Sequence, residues 1–178
     1  ILVAPKNGNV FEPKVLEVIR NLTKDLWQTP ASSKVDSITN FQWTRADGDD
    51  IVISDLVPAG TITEATALNA KKVALDEPLI LNSLISSDGK FTGINITFIK
   101  PDDSVEAGNT VIKIMSHIRP IQKSLAEKHP DIKFYVTGGV PLTMAFTEVS
   151  LSDMSTLTPI MLLVIFLIAG LSLKSIQG

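Results

Sequence analysis

Cysteine is absent from these 178 residues. That removes disulfides and thiol chemistry, and it suits a periplasmic or a cytosolic setting equally. Histidine is nearly absent: His117 and His129 stand twelve residues apart, about 120° out of phase on an ideal helix. Neither a His-x-x-x-His nor a Gly-x-Ser-x-Gly spacing occurs, so no enzyme, catalytic residue, cofactor or metal centre is expected. Asp47, Asp49 and Asp50 are oxygen donors without the spacing or distal glutamate of a calcium loop, and a hairpin tip accounts for them. Cations are in the minority, with a formal charge of −3, which argues against a nucleic-acid partner. An opening signal peptide is missing too, because Ile1 to Pro5 has no basic n-region or cleavage pattern. The start at Ile1 and the stop at Gly178 read as those of an excised piece.

The longest absence is of charge. Met154 to Leu173, MSTLTPIMLLVIFLIAGLSL, is twenty residues without an ionisable side chain. As a helix it would be about 30 Å long, close to the hydrocarbon thickness of a bilayer. The strongly apolar part, Ile160 to Leu173, is also of a length that core helices reach. Consecutive apolar residues from Met161 to Ile168 leave no stripe for water, however, so a transmembrane helix is expected. Nineteen acidic residues face fifteen basic ones before the span, giving −4 upstream, and only Lys174 follows it. The positive-inside tendency puts Lys174 in the cytoplasm and the large N-terminal part outside.

Upstream, Ile1 to Ala4 reads as a central strand closed by the turn signal at Asn7-Gly8. Val15, Ile19, Leu22 and Leu26 recur at helical spacing from Pro13 to about Trp27, and Lys34 to Thr39 alternates as a half-exposed strand. Asp47-Gly48 and Asp88-Gly89 signal hairpins. The first is flanked by Phe41, Trp43, Ile51 and Ile53; the second has arms Leu79 to Ser86 and Phe91 to Ile99. Between them Thr61 to Glu64 has the form of a capping box, leading a helix with Ala65, Leu68, Lys72 and Leu75 on one face. A third helix over Ser104 to Lys128 buries Val111, Ile114, Ile118, Ile121 and Leu125, with a kink expected at Pro120. Ile132 to Thr137 alternates as a strand. A last helix begins after Gly138-Gly139-Val140-Pro141 and runs to Leu173.

With an insertion at about residues 41–78 set aside, this order is β-α-β-β-α-β, an α+β fold of ferredoxin-like type. Four stretches lead into the apolar span: ILVAPKNGNVFEPKVLEVIRNLT (Ile1 to Thr23), SSKVDSITNFQWTRADGDDIVISDLVP (Ser32 to Pro58), DEPLILNSLISSDGKFTGINITF (Asp76 to Phe98) and VTGGVPLTMAF (Val136 to Phe146). Together they resemble the first extracytoplasmic loop of the resistance-nodulation-division (RND) exporters, in the MMPL-like branch. The resemblance covers essentially the whole chain. It implies a porter-like domain over residues 1–153, the family's second transmembrane helix over 154–173 and the start of a cytoplasmic turn over 174–178, with lysine where arginine is usual. Ile1 would follow the first transmembrane helix. The parent would be a proton-driven exporter of hydrophobic or lipid-like molecules in a bacterial inner membrane, with this domain facing the periplasm. Its partners would be the membrane, the substrate and the remaining transmembrane part of the same polypeptide, and a homo-oligomer stays open. The family's proton-relay carboxylates lie on a later helix outside this chain. The contrasting reading is a ligand-sensing domain anchored by a single helix.

Phe41 and Trp43 are the candidate substrate contacts, either lining an apolar groove between subdomains or packing as ordinary core. Gly138 and Gly139, where the last strand hands over to the last helix, serve as a hinge or as a tight turn.

Overall fold

A computed structural model describes residues 1–48 and 50–173. The chain forms two compact units, Ile1–Thr137 and the residues from Gly138 onward.

In the first unit, β1 (Leu2–Pro5) pairs antiparallel with β7 (Ile132–Tyr135) on one side and with β5 (Thr92–Gly93) on the other. β2 (Ser32–Asp36) pairs antiparallel with β6 (Asn95–Phe98), and β3 (Gln42–Asp47) with β4 (Asp50–Asp55). A single residue, Ile94, separates β5 from β6; its N–H donates to the Ile1 carbonyl at 2.8 Å. The helices are α1 (Pro13–Leu26), α2 (Glu64–Asp76) and α3 (Ser104–Lys128). The architecture is mixed α and β.

α1 forms as its pattern requires: Pro13 occupies the first turn, where its missing N–H costs least, and Val15, Ile19, Leu22 and Leu26 are all buried. Val3, Ile38, Ile80, Ile85, Ile94 and Ile114 join that apolar face to make the core. α3 keeps its expected bounds through Pro120, with Ile114, Met115 and Ile118 buried. Val111, Ile121 and Leu125 are only half-buried. β7 alternates as expected, Ile132 and Phe134 in, Lys133 and Tyr135 out. The two histidines are half-buried, His117 on α3 and His129 at its C-cap; Nε2 of His117 and Nδ1 of His129 are buried with no partner among the described residues.

Five local expectations are corrected. β2 stops at Asp36 instead of reaching Thr39, because the Asn40 side chain accepts from the Ser37 N–H at 2.8 Å and donates to the Val35 carbonyl at 2.7 Å. Those bonds compete with a ladder and close a turn. In the first hairpin Asp47 pairs with Asp50, so Asp47 belongs to the ladder and not to the turn expected at Asp47-Gly48; residue 49 lies outside the described residues. Thr44 opposes Ile53 and Ala46 opposes Ile51, while Trp43 opposes Ser54 and Arg45 opposes Val52. Directly opposed residues share a face, so Ile51 and Ile53 lie on the face opposite to Trp43, and both are exposed.

α2 is capped by Thr63, whose side chain accepts from the Thr66 N–H at 3.2 Å, and no capping box forms at Thr61. Its buried face is Ala67, Ala70 and Ala74, whereas Leu68 is 70 % exposed. Three alanines let the α2 backbone approach its neighbours closely, and a hydrophobicity count overlooks them. Finally, Leu79 to Ser86 is a run of turns with isolated bridges at Leu81 and Ile85, not a hairpin arm. The Leu84 and Ile85 N–H groups both turn back to the Ile80 carbonyl, and Asn82 holds a left-handed φ of 61°.

The second unit contains α4 (Gly139–Leu173), 35 residues continuous through Pro159 and about 52 Å long at the standard helical rise. From Ile160 to Ile168 its apolar side chains are exposed on every face, between 46 % for Leu162 and 72 % for Phe166. The expected cytoplasmic turn, residues 174–178 with Lys174, lies outside the described residues.

Candidate functional site

Phe41 and Trp43 flank the start of β3. The Phe41 carbonyl accepts from the Leu56 N–H at 2.8 Å, which ties the base of the hairpin. Its half-buried ring lines a cavity of about 250 Å³ with Leu79, Ile80 and Leu84, with Lys34 and Asn95 among the polar lining. Trp43, also half-buried, lines a different cavity of about 300 Å³ beside Lys72, Val73 and Asp76 of α2. The Arg45 guanidinium lies 5.2 Å from the centre of the Trp43 ring, a cation–π contact. The two aromatics face separate depressions, and the structure does not bring them together in one groove.

Gly138 has φ of 114°, a backbone conformation that side-chain-bearing residues rarely adopt. A Cβ there would meet nothing within 4 Å, so glycine supplies backbone freedom and not space. Gly139 is the first residue of α4, and the Gly138 carbonyl accepts from the Leu142 N–H at 3.2 Å to close the first turn.

A third depression, about 280 Å³, runs along α1 and was not foreseen from the sequence, although Arg20, Lys24 and Trp27 at positions i, i+4 and i+7 share one helix face. Arg20 Nη1 donates to the carbonyls of Gly60 at 2.8 Å and Pro58 at 3.3 Å. The side chain is only 17 % exposed, and its nearest carboxylate, Glu17, stands at 4.0 Å and is well exposed. Thr23 also lines the groove, but its hydroxyl is committed elsewhere: it donates to the Ile19 carbonyl at 2.7 Å and bonds Ser37 Oγ at 3.0 Å. Asp55, held by the Gln42 side-chain amide, is the one carboxylate lining the groove.

The carboxylates with shifted titration line none of these depressions. Hydrogen bonds from the Ser86 hydroxyl and from Lys90 lower the Asp88 carboxyl to about 2. Lys14, 3.0 Å away, lowers that of Asp131.

An α/β unit with open depressions, followed by one helix long and apolar enough to cross a membrane, is the arrangement into which the comparisons fit. The model of the MMPL family matches residues 12–177. The chain belongs to the MMPL family. No curated protein and no solved structure matches it. As an MMPL chain it is a domain of RND-type membrane transport, and the match extends across both units. The MMPL family is membrane-associated, and α4 is the one helix among the described residues long and apolar enough to cross a membrane.

Proposed function

We propose that this chain is the extracytoplasmic porter-type domain and adjoining membrane helix of a proton-driven exporter of hydrophobic or lipid-like molecules, and that the first unit takes part in substrate capture and conformational cycling. The observation that carries the proposal is the family match running from α1 into the end of α4, which makes the α/β unit and the apolar helix parts of one transport module. A ferredoxin-like topology for the first unit is supported by the strand pairing. Joining β5 to β6 across Ile94 gives the antiparallel order β7-β1-β5/β6-β2, which two split βαβ halves produce. The acidic balance upstream of the span and the lysine after it support an outside, periplasmic placement in a bacterial inner membrane. Met154 to Leu173 has no ionisable side chain, so proton coupling belongs to other membrane helices of the parent polypeptide. Phe41 and Trp43 are proposed as substrate contacts in two neighbouring steps of the path, and Gly138 and Gly139 as the hinge that passes motion between membrane helix and domain.

The test is transport by the parent protein in everted membrane vesicles, whose lumen is the periplasmic side, with a fluorescent amphiphile added to the medium and its uptake followed. Export that collapses on adding a protonophore, and that falls several-fold in a Trp43→Ala variant inserted at normal levels, is the expected result. Export indifferent to the proton gradient, or a parent polypeptide with no membrane span besides α4, would overturn the proposal.

A further inference from the structure

The groove on α1 collects positive charge in a chain whose overall charge is negative. A largely buried cation is costly unless it is paired. Arg20 is fixed by two neutral carbonyls, and Glu17, 4.0 Å away and well exposed, screens its charge only weakly. One turn further on, Lys24 is exposed and makes no ion pair among the described residues. One more turn brings Trp27, 45 % exposed, whose indole N–H has no acceptor among the described residues. Val57 and Ala59 complete an apolar side, and Asp55 leaves the lining with a net single positive charge. The groove thus presents a fixed guanidinium, an exposed ammonium, an indole and its aromatic face within one cavity of about 280 Å³.

We propose that this groove binds the phosphate-bearing headgroup of an amphiphile. Arg20 and Lys24 would take the phosphate oxygens, because a guanidinium beside an ammonium offers several charge-assisted donors to one tetrahedral anion. Trp27 donates its N–H to the headgroup and lays its ring against the first carbons of the tail, the amphipathic role for which tryptophan is suited. The cavity lies near the lower end of the roughly 300–1,000 Å³ range of ligand pockets, so it holds a headgroup and leaves acyl chains outside. This deepens the exporter reading and rests on it only for the ligand being transported cargo; binding to the purified chain requires no transport.

The experiment follows Trp27 emission in a Trp43→Phe background, with the whole chain held in a non-ionic amphipol. Three probes are titrated: dihexanoyl phosphatidate below its micellar concentration, inorganic phosphate, and dihexanoylglycerol. Phosphatidate is expected to saturate the signal, inorganic phosphate to bind at least tenfold more weakly with a smaller emission change, and dihexanoylglycerol to give no saturable change. Lys24→Glu, at a site with no ion-pair partner among the described residues, is expected to weaken both anions at least tenfold while lowering the denaturation midpoint only slightly, as a reversed charge in the last turn of α1 does. Equal binding of phosphatidate and dihexanoylglycerol, or an unchanged phosphatidate affinity in Lys24→Glu, would overturn the proposal. Equal binding of phosphatidate and inorganic phosphate would overturn it in favour of a free-anion site. Any of these failures leaves the exporter reading to its own vesicle assay, and a parent that exports nothing leaves these binding constants standing.

Discussion

Enlarging Ala70 to leucine is the sharpest probe of how α2 sits on the first unit. Ala70 is fully buried, and its helix face, shared with Ala67 and Ala74, is the one turned inward. Extra carbons in a close-packed interface force off-rotamer side chains or backbone shifts and cost about 1–3 kcal/mol. Leu68 is the contrasting position, with 70 % of its surface exposed. Full burial of a leucine is worth about 1.5–3 kcal/mol, so the remaining 30 % represents about 0.5–0.9 kcal/mol, and alanine's better helix propensity offsets part of that. Leu68→Ala is therefore expected to cost less than about 0.9 kcal/mol. Urea unfolding of the whole chain in a non-ionic detergent, followed by far-UV circular dichroism, separates the two. At a slope of about 2 kcal/mol per molar urea, Ala70→Leu lowers the midpoint by about 1 M and Leu68→Ala by less than about 0.5 M. If Leu68→Ala proved the more damaging, the helix would be packed on the face that a simple hydrophobic count selects, and the inward alanine face would be wrong.

Other perturbations test separate features. Thr63→Ala removes the α2 cap and should cost about 1 kcal/mol in the same urea assay, whereas Thr61→Ala should be nearly silent. Asp88 should titrate at about 2 by carboxyl-detected NMR, and Ser86→Ala should raise it toward the ordinary range near 3.9. The sign follows from a folded-state value that is depressed: the contribution of this carboxylate to stability is present above the ordinary carboxylate range and is lost as pH falls through about 2. Gly138→Ala should destabilise by about 1–3 kcal/mol through backbone strain, while Gly139→Ala, in the first turn of α4, should be tolerated; equal effects would remove the special status of the φ of 114°. In plain buffer the whole chain should self-associate through α4, and a monomer by light scattering would contradict hydrocarbon as the solvent of that helix.

Much of this fold is legible in the residues. α1, α3, β7 and α4 announce themselves because each repeats one contrast of solvent at a fixed period, or, for α4, abolishes it over a bilayer's width. The candidate site was less so. Trp43 and Phe41 could be picked out as aromatics on a hairpin, but their separation into two cavities depends on α2 and on the turns at Leu79 to Ser86, neither of which a hairpin pattern encodes. Arg20, Lys24 and Trp27 share a helix face that spacing alone reveals. What makes them a groove is the loop Pro58–Gly60, folded back from almost forty residues away to hold the guanidinium.

The sequence by itself determined which segments seek water and which avoid it, and with that the helices of strong period and the apolar character of the tail. Only the tertiary structure decided the hairpin register, the inward face of α2 and the meeting of α1 with the Pro58–Gly60 loop. The physical reason is range. Periodicity reports a residue's relation to solvent, which its near neighbours share, whereas register, alanine packing and groove formation are settled by contacts between groups far apart along the chain, whose identities no local pattern records.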